Sequence, residues 1–309
     1  MKKWIQKAIV QKIVSYLPFG RQINYLFQKY VTKGVYLTDT YFYDRLNHAT
    51  QHLAAYHRFT GNPMPNSCLE LGTGWYPIVP IAFFLSGVQS IYSVDIAFLT
   101  SKKRIATTLA MFAQAHRQQR LPNYLPNLQP QRLQLLLNLI DQLPTLTLPD
   151  ILNQLHLHYL IEDARHLSLP DNSVDLVNSN NTFEHIYPQL LEPILLEFKR
   201  VVKKNTGIMS HFIDMSDHFA HFDSSITIYN FLQFSDQQWQ WIDNTIQPQN
   251  RLRLADYQQL YNHINLPITH QNLWHGDVAQ LTMVPLHPHF ANQNPDMVAV
   301  SHCHFISVM

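Results

Sequence analysis

The stretch from Ser67 to Ala97 constrains the fold of this chain more than any other part of the sequence. A short apolar run leads into Gly72-Thr73-Gly74, a compact apolar segment follows, and a second strand-like run ends on Asp95. Glycines let the backbone approach a ligand closely, because they carry no Cβ and adopt positive φ without steric cost. A terminal carboxylate can accept hydrogen bonds from both ribose hydroxyls. The pattern predicts a nucleotide-binding βαβ unit.

The composition predicts a globular protein with a sizeable core, because 46% of the 309 residues are hydrophobic. The net charge of +1 gives no indication of a nucleic-acid partner. The sequence has only two cysteines, Cys68 and Cys303, so we expect a reducing, cytoplasmic compartment. No apolar run approaches the roughly 18 residues that span a bilayer, and residues 1–20 lack the apolar core of a signal peptide.

The chain divides into an N-terminal helical cover or lid, residues 1–60, and a main domain over 61–309 with insertions near 121–150 and 218–265. Residues 1–33 predict two amphipathic helices with seven basic and no acidic side chains. They form either a cover docked on the main domain, which we favour, or a weak contact with an anionic membrane surface. A third helix is predicted to begin at Thr38 or Asp39.

Strands alternate with helices through the rest of the chain. This order predicts an α/β fold: a Rossmann-like, mostly parallel seven-stranded sheet with helices on both faces. A helix over about Gln189 to Lys203 contains Pro193, which we expect to be tolerated only in the first turn. The sixth strand lies between Pro267 and Met283. The third, fifth and terminal strands are predicted at Leu157 to Ile161, Ile208 to Ile213 and Val298 to Val308. The fourth strand is predicted at Val174 to Val177, ending at Asn178 to Thr182.

The residues after Gly74 argue against a dinucleotide. A dinucleotide-binding turn has a third glycine three residues after the second, where the helix meets the strand and the pyrophosphate. Here that position is Pro77, preceded by the bulky Trp75 and Tyr76. A nucleoside without phosphates therefore fits this turn better. A nicotinamide-dependent oxidoreductase stays an alternative that Pro77 disfavours.

Three spaced motifs together resemble the class I S-adenosylmethionine-dependent methyltransferases. The resemblance covers roughly Ser67 to Asp214, and the order of the motifs is more specific than any one alone. The motifs are Glu70-Leu71-Gly72-Thr73-Gly74 with Asp95, then Glu162 to Leu167 followed by Leu169 to Val177, and finally Asn180 to His185 with its following helix and the fifth strand.

The resemblance implies S-adenosylmethionine as the cofactor. Gly72 and Gly74 would line its methionine moiety, Asp95 would bind the ribose hydroxyls, and Asp163 would accept from the adenine amino group. Tyr76 stands where many members of the family have glycine. The full set of cofactor-binding residues implied is Glu70, Gly72, Thr73, Gly74, Tyr76, Asp95, Ile96, Asp163, Ala164 and Asn180.

Methyl transfer is an in-line displacement that needs a base only if the nucleophile must lose a proton. The candidates are His185, which we favour, and Asp214, His218 and His221, which cluster if their stretch is helical. No strict ligand signature appears, so we predict no metal. In a strand, Ser301 to His304 would put its two histidines on one face and Cys303 on the other.

The acceptor is expected to be a small molecule with an oxygen or nitrogen nucleophile. The aromatic stretch from Phe219 to Trp241 forms either a substrate lid or a satellite core. No basic groove with interleaved aromatics appears outside residues 1–33, so no nucleic-acid partner is expected. A catalytically silent, membrane-associated cofactor-binding protein is the third hypothesis, and the oligomeric state is left open.

Overall fold

A seven-stranded sheet forms the centre of the computed structural model, which describes residues 2–18 and 36–309. The strand order is β3-β2-β1-β4-β5-β7-β6; β1 to β5 pair in parallel, and β7 runs antiparallel to both of its neighbours, β5 and β6. The predicted mostly parallel α/β sheet is therefore confirmed. The strands are β1 Ser67–Leu71, β2 Ser90–Asp95, β3 Leu157–Ile161, β4 Leu176–Asn180, β5 Ile208–Asp214, β6 His270–His275 and β7 Val300–Val308.

Helices connect the strands and cover the sheet. The second predicted basic helix, within residues 19–33, lies outside the described residues. Short 3₁₀ turns at Phe183–His185 and Asn230–Gln233 complete the order. The helices are α1 Lys3–Ser15, α2 Asp39–Thr60, α3 Ile78–Ser86, α4 Lys102–Arg117, α5 Leu121–Tyr124, α6 Pro130–Gln142, α7 Leu148–Gln154, α8 Pro188–Val201, α9 Asp236–Ile242, α10 Leu254–His263, α11 Val278–Thr282, α12 Pro288–Ala291 and α13 Pro295–Val298.

Helix α2 shows how local sequence sets the boundaries of an element. The Thr38 side chain accepts a hydrogen bond from the Tyr41 amide, which satisfies one of the free donors at the helix start. Gly61 ends the helix in the left-handed conformation with φ of 74°, which glycine adopts without strain. The apolar stripe between these caps is buried against α3 and β5, so the predicted third helix and its ends are confirmed.

The sheet separates two apolar cores, because alternate residues of each strand point to opposite faces. Cys68 belongs to the core under α2, α3, α4 and α6, whereas Leu69 belongs to the core under α8 and α10. Burial on both faces explains why these strands read as nearly continuous apolar runs. Cys303 of β7 faces the second core, as the strand alternation predicts, and both cysteines are free thiols.

Three predicted details are wrong. Strands β4 and β7 each begin two residues later than predicted, at Leu176 and Val300, and Val174 forms only an isolated bridge with Val202. Helix α8 begins at Pro188, so Pro193 lies in its second turn. Burial of the apolar stripe of α8 offsets the backbone hydrogen bond that Pro193 cannot donate.

The aromatic stretch after β5 builds a satellite core that includes helix α1. Trp4 and Ala8 of α1 pack with Phe219, Phe231 and Trp239. The Trp4 amide donates to Asp223 Oδ2 at 3.0 Å, and Lys12 Nζ donates to the carbonyls of Gln240 and Asp243 at 2.7 Å each. Among the described residues, no helix has the length and apolar character needed to cross a bilayer.

A buried carboxylate joins the starts of β1 and β4, and its removal should destabilise the fold. Asp175 Oδ2 accepts from the Ser67 amide and hydroxyl at 2.8 and 2.9 Å, and Oδ1 accepts from Lys203 Nζ at 2.8 Å. We expect Asp175→Ala to lower the free energy of unfolding by about 2–3 kcal/mol in urea titrations. Asp171→Ala, which removes an exposed carboxylate, is the control. Equal small losses would contradict this role for Asp175.

Candidate functional site

The carboxyl ends of the five parallel strands meet at one edge of the sheet. The chain crosses from β1 to β2 on one side and reaches β4 on the other, so a crevice opens beside the end of β1. Gly72 follows β1, Asp95 ends β2, Asp163 follows β3 and Asn180 ends β4. The topology therefore brings the residues predicted to bind the cofactor to one edge.

The glycine turn after β1 is held in a conformation that a side chain would disturb. Gly72 and Gly74 have φ of 74° and 69°. A Cβ on Gly72 would approach Thr182 Cγ2 to 2.5 Å, whereas a Cβ on Gly74 would meet only the Gly72 carbonyl oxygen, at 3.9 Å. Gly72 is thus required for packing, and Gly74 leaves space beside the backbone.

Glu70 connects this turn to the end of β4. Its carboxylate accepts from Thr73 Oγ1 at 2.6 Å and from Asn180 Nδ2 at 2.8 Å. The side chain is 3% exposed, and burial raises its pKa to about 7 despite these two hydrogen bonds. A cationic ligand group beside Glu70 would favour its ionised form.

The two predicted acids of β2 and β3 lie nearer the surface. The Asp95 carboxylate accepts from the Ala97 amide at 3.3 Å, and Ile96 between them is exposed. Hydrogen bonds from the Arg165 side chain lower the pKa of Asp163 to about 2, so Asp163 is ionised at neutral pH. The predicted cofactor residue Ala164 is buried in the second apolar core. The predicted residue Tyr76 is half-buried and packs against the first core.

A buried histidine network, which the sequence analysis missed, reaches Asn180 from helix α2. Asn180 Oδ1 lies 3.0 Å from His48 Nδ1 and 3.1 Å from His52 Nε2. His52 Nδ1 is 2.7 Å from Ser210 Oγ, which is 2.7 Å from His304 Nε2. Burial lowers the pKa of His48 to about 3 and that of His304 to about 2, so both are neutral. The i, i+4 spacing of the two α2 histidines beside the apolar stripe was the available signal.

The candidate catalytic residues gather where β4 and β5 end. Asp214 Oδ2 lies 3.3 Å from His218 Nε2, and Oδ1 lies 3.3 Å from His302 Nε2. Burial raises the pKa of Asp214, but the hydrogen bonds from both histidines outweigh it and hold the pKa well below its usual range. The rings of His185 and His218 are 4.9 Å apart between centroids. Together with Glu184, these residues form a cluster of two carboxylates and several imidazoles.

The sequence analysis predicted that Asp214, His218 and His221 cluster if the segment after β5 is helical. This segment forms turns and no helix. His218 still reaches Asp214. His221 is exposed and contacts Ser216 Oγ at 3.3 Å, while its ring stacks on His218 with centroids 5.4 Å apart. His221 therefore lies at the outer side of the cluster.

A loop from the satellite core closes over the cluster. His185 Nδ1 donates to the Pro248 carbonyl at 2.8 Å, and the Asn250 amide donates to the Glu184 carbonyl at 2.8 Å. Gln249 Oε1 accepts from the His218 amide at 3.2 Å. Burial lowers the pKa of His185 to about 4, so its imidazole is neutral at pH 7.

Residues 142–209 match the model of a family described as "Methyltransferase domain". The match runs from the end of α6 through β3, β4 and α8 into β5, and it includes Asp163, Asn180 and His185. It falls on the sheet whose carboxyl edge carries the site. The matched segment, about a fifth of the chain, is thus similar to a methyltransferase domain. No curated protein matches the sequence.

Several solved structures show distant similarity to this chain. One is the 1,6-didemethyltoxoflavin-N1-methyltransferase of Burkholderia thailandensis, with 10% identity over 85% of this chain and 77% of that chain and a TM-score of 0.43. A Pyrococcus horikoshii protein has 12% identity over 91% and 97% of the two chains and a TM-score of 0.48. These values carry no information about the acceptor.

The residues present suit S-adenosylmethionine, the cofactor that the sequence resemblance implies. The open space beside Gly74 admits a ligand against the backbone, and the ionised Asp163 can accept hydrogen bonds from an adenine amino group. The buried Glu70 carboxylate offers a counter-charge to a cationic methionine end. The aromatic side chain of Tyr76 is half-buried and packs against the apolar core under α2 and α3.

Substitution of Gly72 tests the packing of the cofactor turn. Gly61 has the same φ of 74°, but a Cβ there would meet nothing within 4 Å, so Gly61→Ala should cost only about 1–2 kcal/mol of backbone strain. Gly72→Ala should cost more, because Thr182 must also move and lose its 3.2 Å hydrogen bond to the Leu71 carbonyl. Calorimetry should also show S-adenosylhomocysteine binding weakened at least about tenfold in Gly72→Ala alone. Equal effects of the two substitutions would contradict the contact with Thr182.

Proposed function

We propose that the protein transfers the methyl group of S-adenosylmethionine to an oxygen or nitrogen atom of a small molecule. One observation carries this proposal: the histidine and carboxylate cluster at the ends of β4 and β5 is enclosed. Asp214 is 5% exposed and Glu184 is 1% exposed. The loop from Pro248 to Asn250 forms hydrogen bonds with the neighbouring His185 and His218. Such an enclosed polar cluster suits a small acceptor better than a polymer.

The carboxyl edge of β1 to β4 supplies the proposed cofactor contacts. Gly72, Thr73 and Gly74 line the methionine moiety, with Glu70 and Asn180 beneath them. The remaining contacts follow the strands outward: Asp95 and Ile96 bind the ribose, Asp163 accepts from the adenine amino group, the Ala164 amide meets the ring, and Tyr76 borders the turn. The bound cofactor supplies the electrophilic methyl group and its own leaving group.

The cluster at β4 and β5 handles the acceptor and its proton. Hydrogen bonds fix the orientations of the His185 and His218 imidazoles, and the Asp214 carboxylate stabilises positive charge that develops on His218. His221 borders the cluster on its exposed side. These residues orient the nucleophile, keep water out and accept its proton when the nucleophile carries one.

Other predicted properties stay part of the proposal. The buried free thiols of Cys68 and Cys303 support a reducing, cytoplasmic location. Residues 1–60 act as a cover or lid on the domain 61–309, and the satellite core supports this because α1 docks there. Contact of residues 1–33 with a membrane surface is the weaker option, because Lys12 bonds two carbonyls of the chain itself.

Loss of the ribose acceptor should weaken cofactor binding. We expect Asp95→Ala to raise the dissociation constant for S-adenosylmethionine at least about tenfold, the scale of a lost pair of hydrogen bonds to a charged group. Asp141→Ala, on the exposed face of α6, is the matched control and should leave the constant unchanged. Unaltered affinity in Asp95→Ala would mean that Asp95 does not bind the ribose.

A metabolite-extract screen with an isotopically labelled methyl donor tests the proposed acceptor class. The label should appear in a compound of low molecular mass, attached to oxygen or nitrogen, and the Asp95→Ala variant should produce much less of it. Label confined to protein or nucleic acid added to the same reaction would contradict a small-molecule acceptor.

A further inference from the structure

Three side chains that could ligate a metal converge in the cluster at the ends of β4 and β5. One ligand atom from each of Glu184, His185 and His218 lies within 4.8 Å of those of the other two. The first two residues form the 3₁₀ turn after β4, and the third lies in the turns after β5. Because β4 and β5 pair in parallel, the fold itself brings these two segments together.

The surroundings of the Glu184 carboxylate favour a cation bound beside it. The residue is 1% exposed, and within residues 2–18 and 36–309 neither carboxylate oxygen has a hydrogen-bond partner. A buried carboxylate without partners is costly, and the nearby Asp214 adds a like charge. A cation between Glu184 and the histidines would satisfy the carboxylate and offset both acids.

Both histidines already have the outer partners that metal-bound imidazoles use. The Pro248 carbonyl can only accept, so His185 Nδ1 carries the hydrogen at 2.8 Å and Nε2 keeps a free lone pair. The ionised Asp214 likewise accepts from His218 Nε2 at 3.3 Å, which leaves the lone pair on Nδ1. Ligating histidines typically donate their other ring N–H to a carbonyl or carboxylate in this way.

We propose that Glu184, His185 and His218 bind one divalent cation of the zinc class. Two imidazole nitrogens and one carboxylate oxygen favour Zn²⁺ and its transition-metal neighbours over Mg²⁺ or Ca²⁺, which prefer oxygen ligands. Neither thiol takes part, because Cys68 and Cys303 lie in the apolar cores. Three protein ligands leave a coordination position open for water or substrate. Sequence spacing hid this site because its members come from separate segments.

The open position has a consequence that rests on the proposed function. A cation there would take an oxygen or nitrogen atom of the acceptor and lower the pKa of its proton. With the cation bound, the lone pairs of His185 and His218 are occupied, so the proton of the acceptor would pass to water instead of to these imidazoles. The acceptor atom would then bond to the methyl carbon as the sulfur–methyl bond of the cofactor breaks. Binding of the cation itself does not depend on the identity of the acceptor.

Titration of the full-length, chelator-treated protein with Zn²⁺ in a calorimeter, and with Co²⁺ by visible absorption, tests the site. We expect one cation per chain, and at least about 100-fold weaker binding in Glu184→Gln and in His218→Asn. Asp214→Asn, which removes only the outer partner, should weaken binding about 10- to 100-fold. Circular dichroism of each variant shows whether it is folded.

The exposed pair Glu192 and His263, 3.7 Å apart, offers a matched control, so Glu192→Gln and His263→Asn should bind Zn²⁺ like the wild type. Binding no tighter than about 100 μM, or unchanged binding in folded Glu184→Gln and His218→Asn, would overturn the proposal. Full methyl transfer by chelated protein without Zn²⁺ binding would refute the cation and leave the proposed function standing. Tight Zn²⁺ binding that the variants weaken, without methyl transfer to any small molecule, would support the cation site and refute the proposed function.

Discussion

The hydrogen bond between Asn180 and Glu70 joins β4 to β1 on the two sides of the crevice. This hydrogen bond also fixes the glycine turn, because Glu70 accepts a second hydrogen bond from Thr73 in that turn. Asn180 is held from behind by His48 and His52 of α2, and through them the contact extends into β5 and β7. Buried polar groups that are satisfied in this way fix one arrangement, since breaking any link leaves an unpaired group in a low-dielectric interior.

The crevice therefore has two parts with different physical character. On the side of β1 to β3, backbone, short turns and outward-lying acids form a surface that suits the polar ends of S-adenosylmethionine. On the side of β4 and β5, Glu184, His185, Asp214 and His218 form an enclosed cluster. Two imidazoles bond to Asp214, whereas no side chain within the described residues bonds to Glu184. In the proposed reaction the methyl group passes from the first part to the second, and Asn180 lies at their boundary.

The sequence predicted the sheet well where apolar runs mark buried strands, as in β1, β2 and β5, and it also predicted the only partly buried β3. It placed the start of β4 two residues too early, because the apolar run begins at Val174, which forms only an isolated bridge with Val202. The cofactor edge was predictable since each residue follows a recognisable strand. The network through His48 and His52 and the convergence on Glu184 were not, because they depend on which segments pack together, and no spacing along the chain encodes that.

Paired calorimetric titrations with S-adenosylhomocysteine and with NADH test the central claim most directly. The crevice beside the end of β1 should bind S-adenosylhomocysteine, since Glu70, Asp95 and Asp163 suit a cationic nucleoside ligand and the turn before Pro77 crowds a pyrophosphate. NADH should give no measurable heat of binding at the same concentrations. Binding of NADH without binding of S-adenosylhomocysteine would contradict the account.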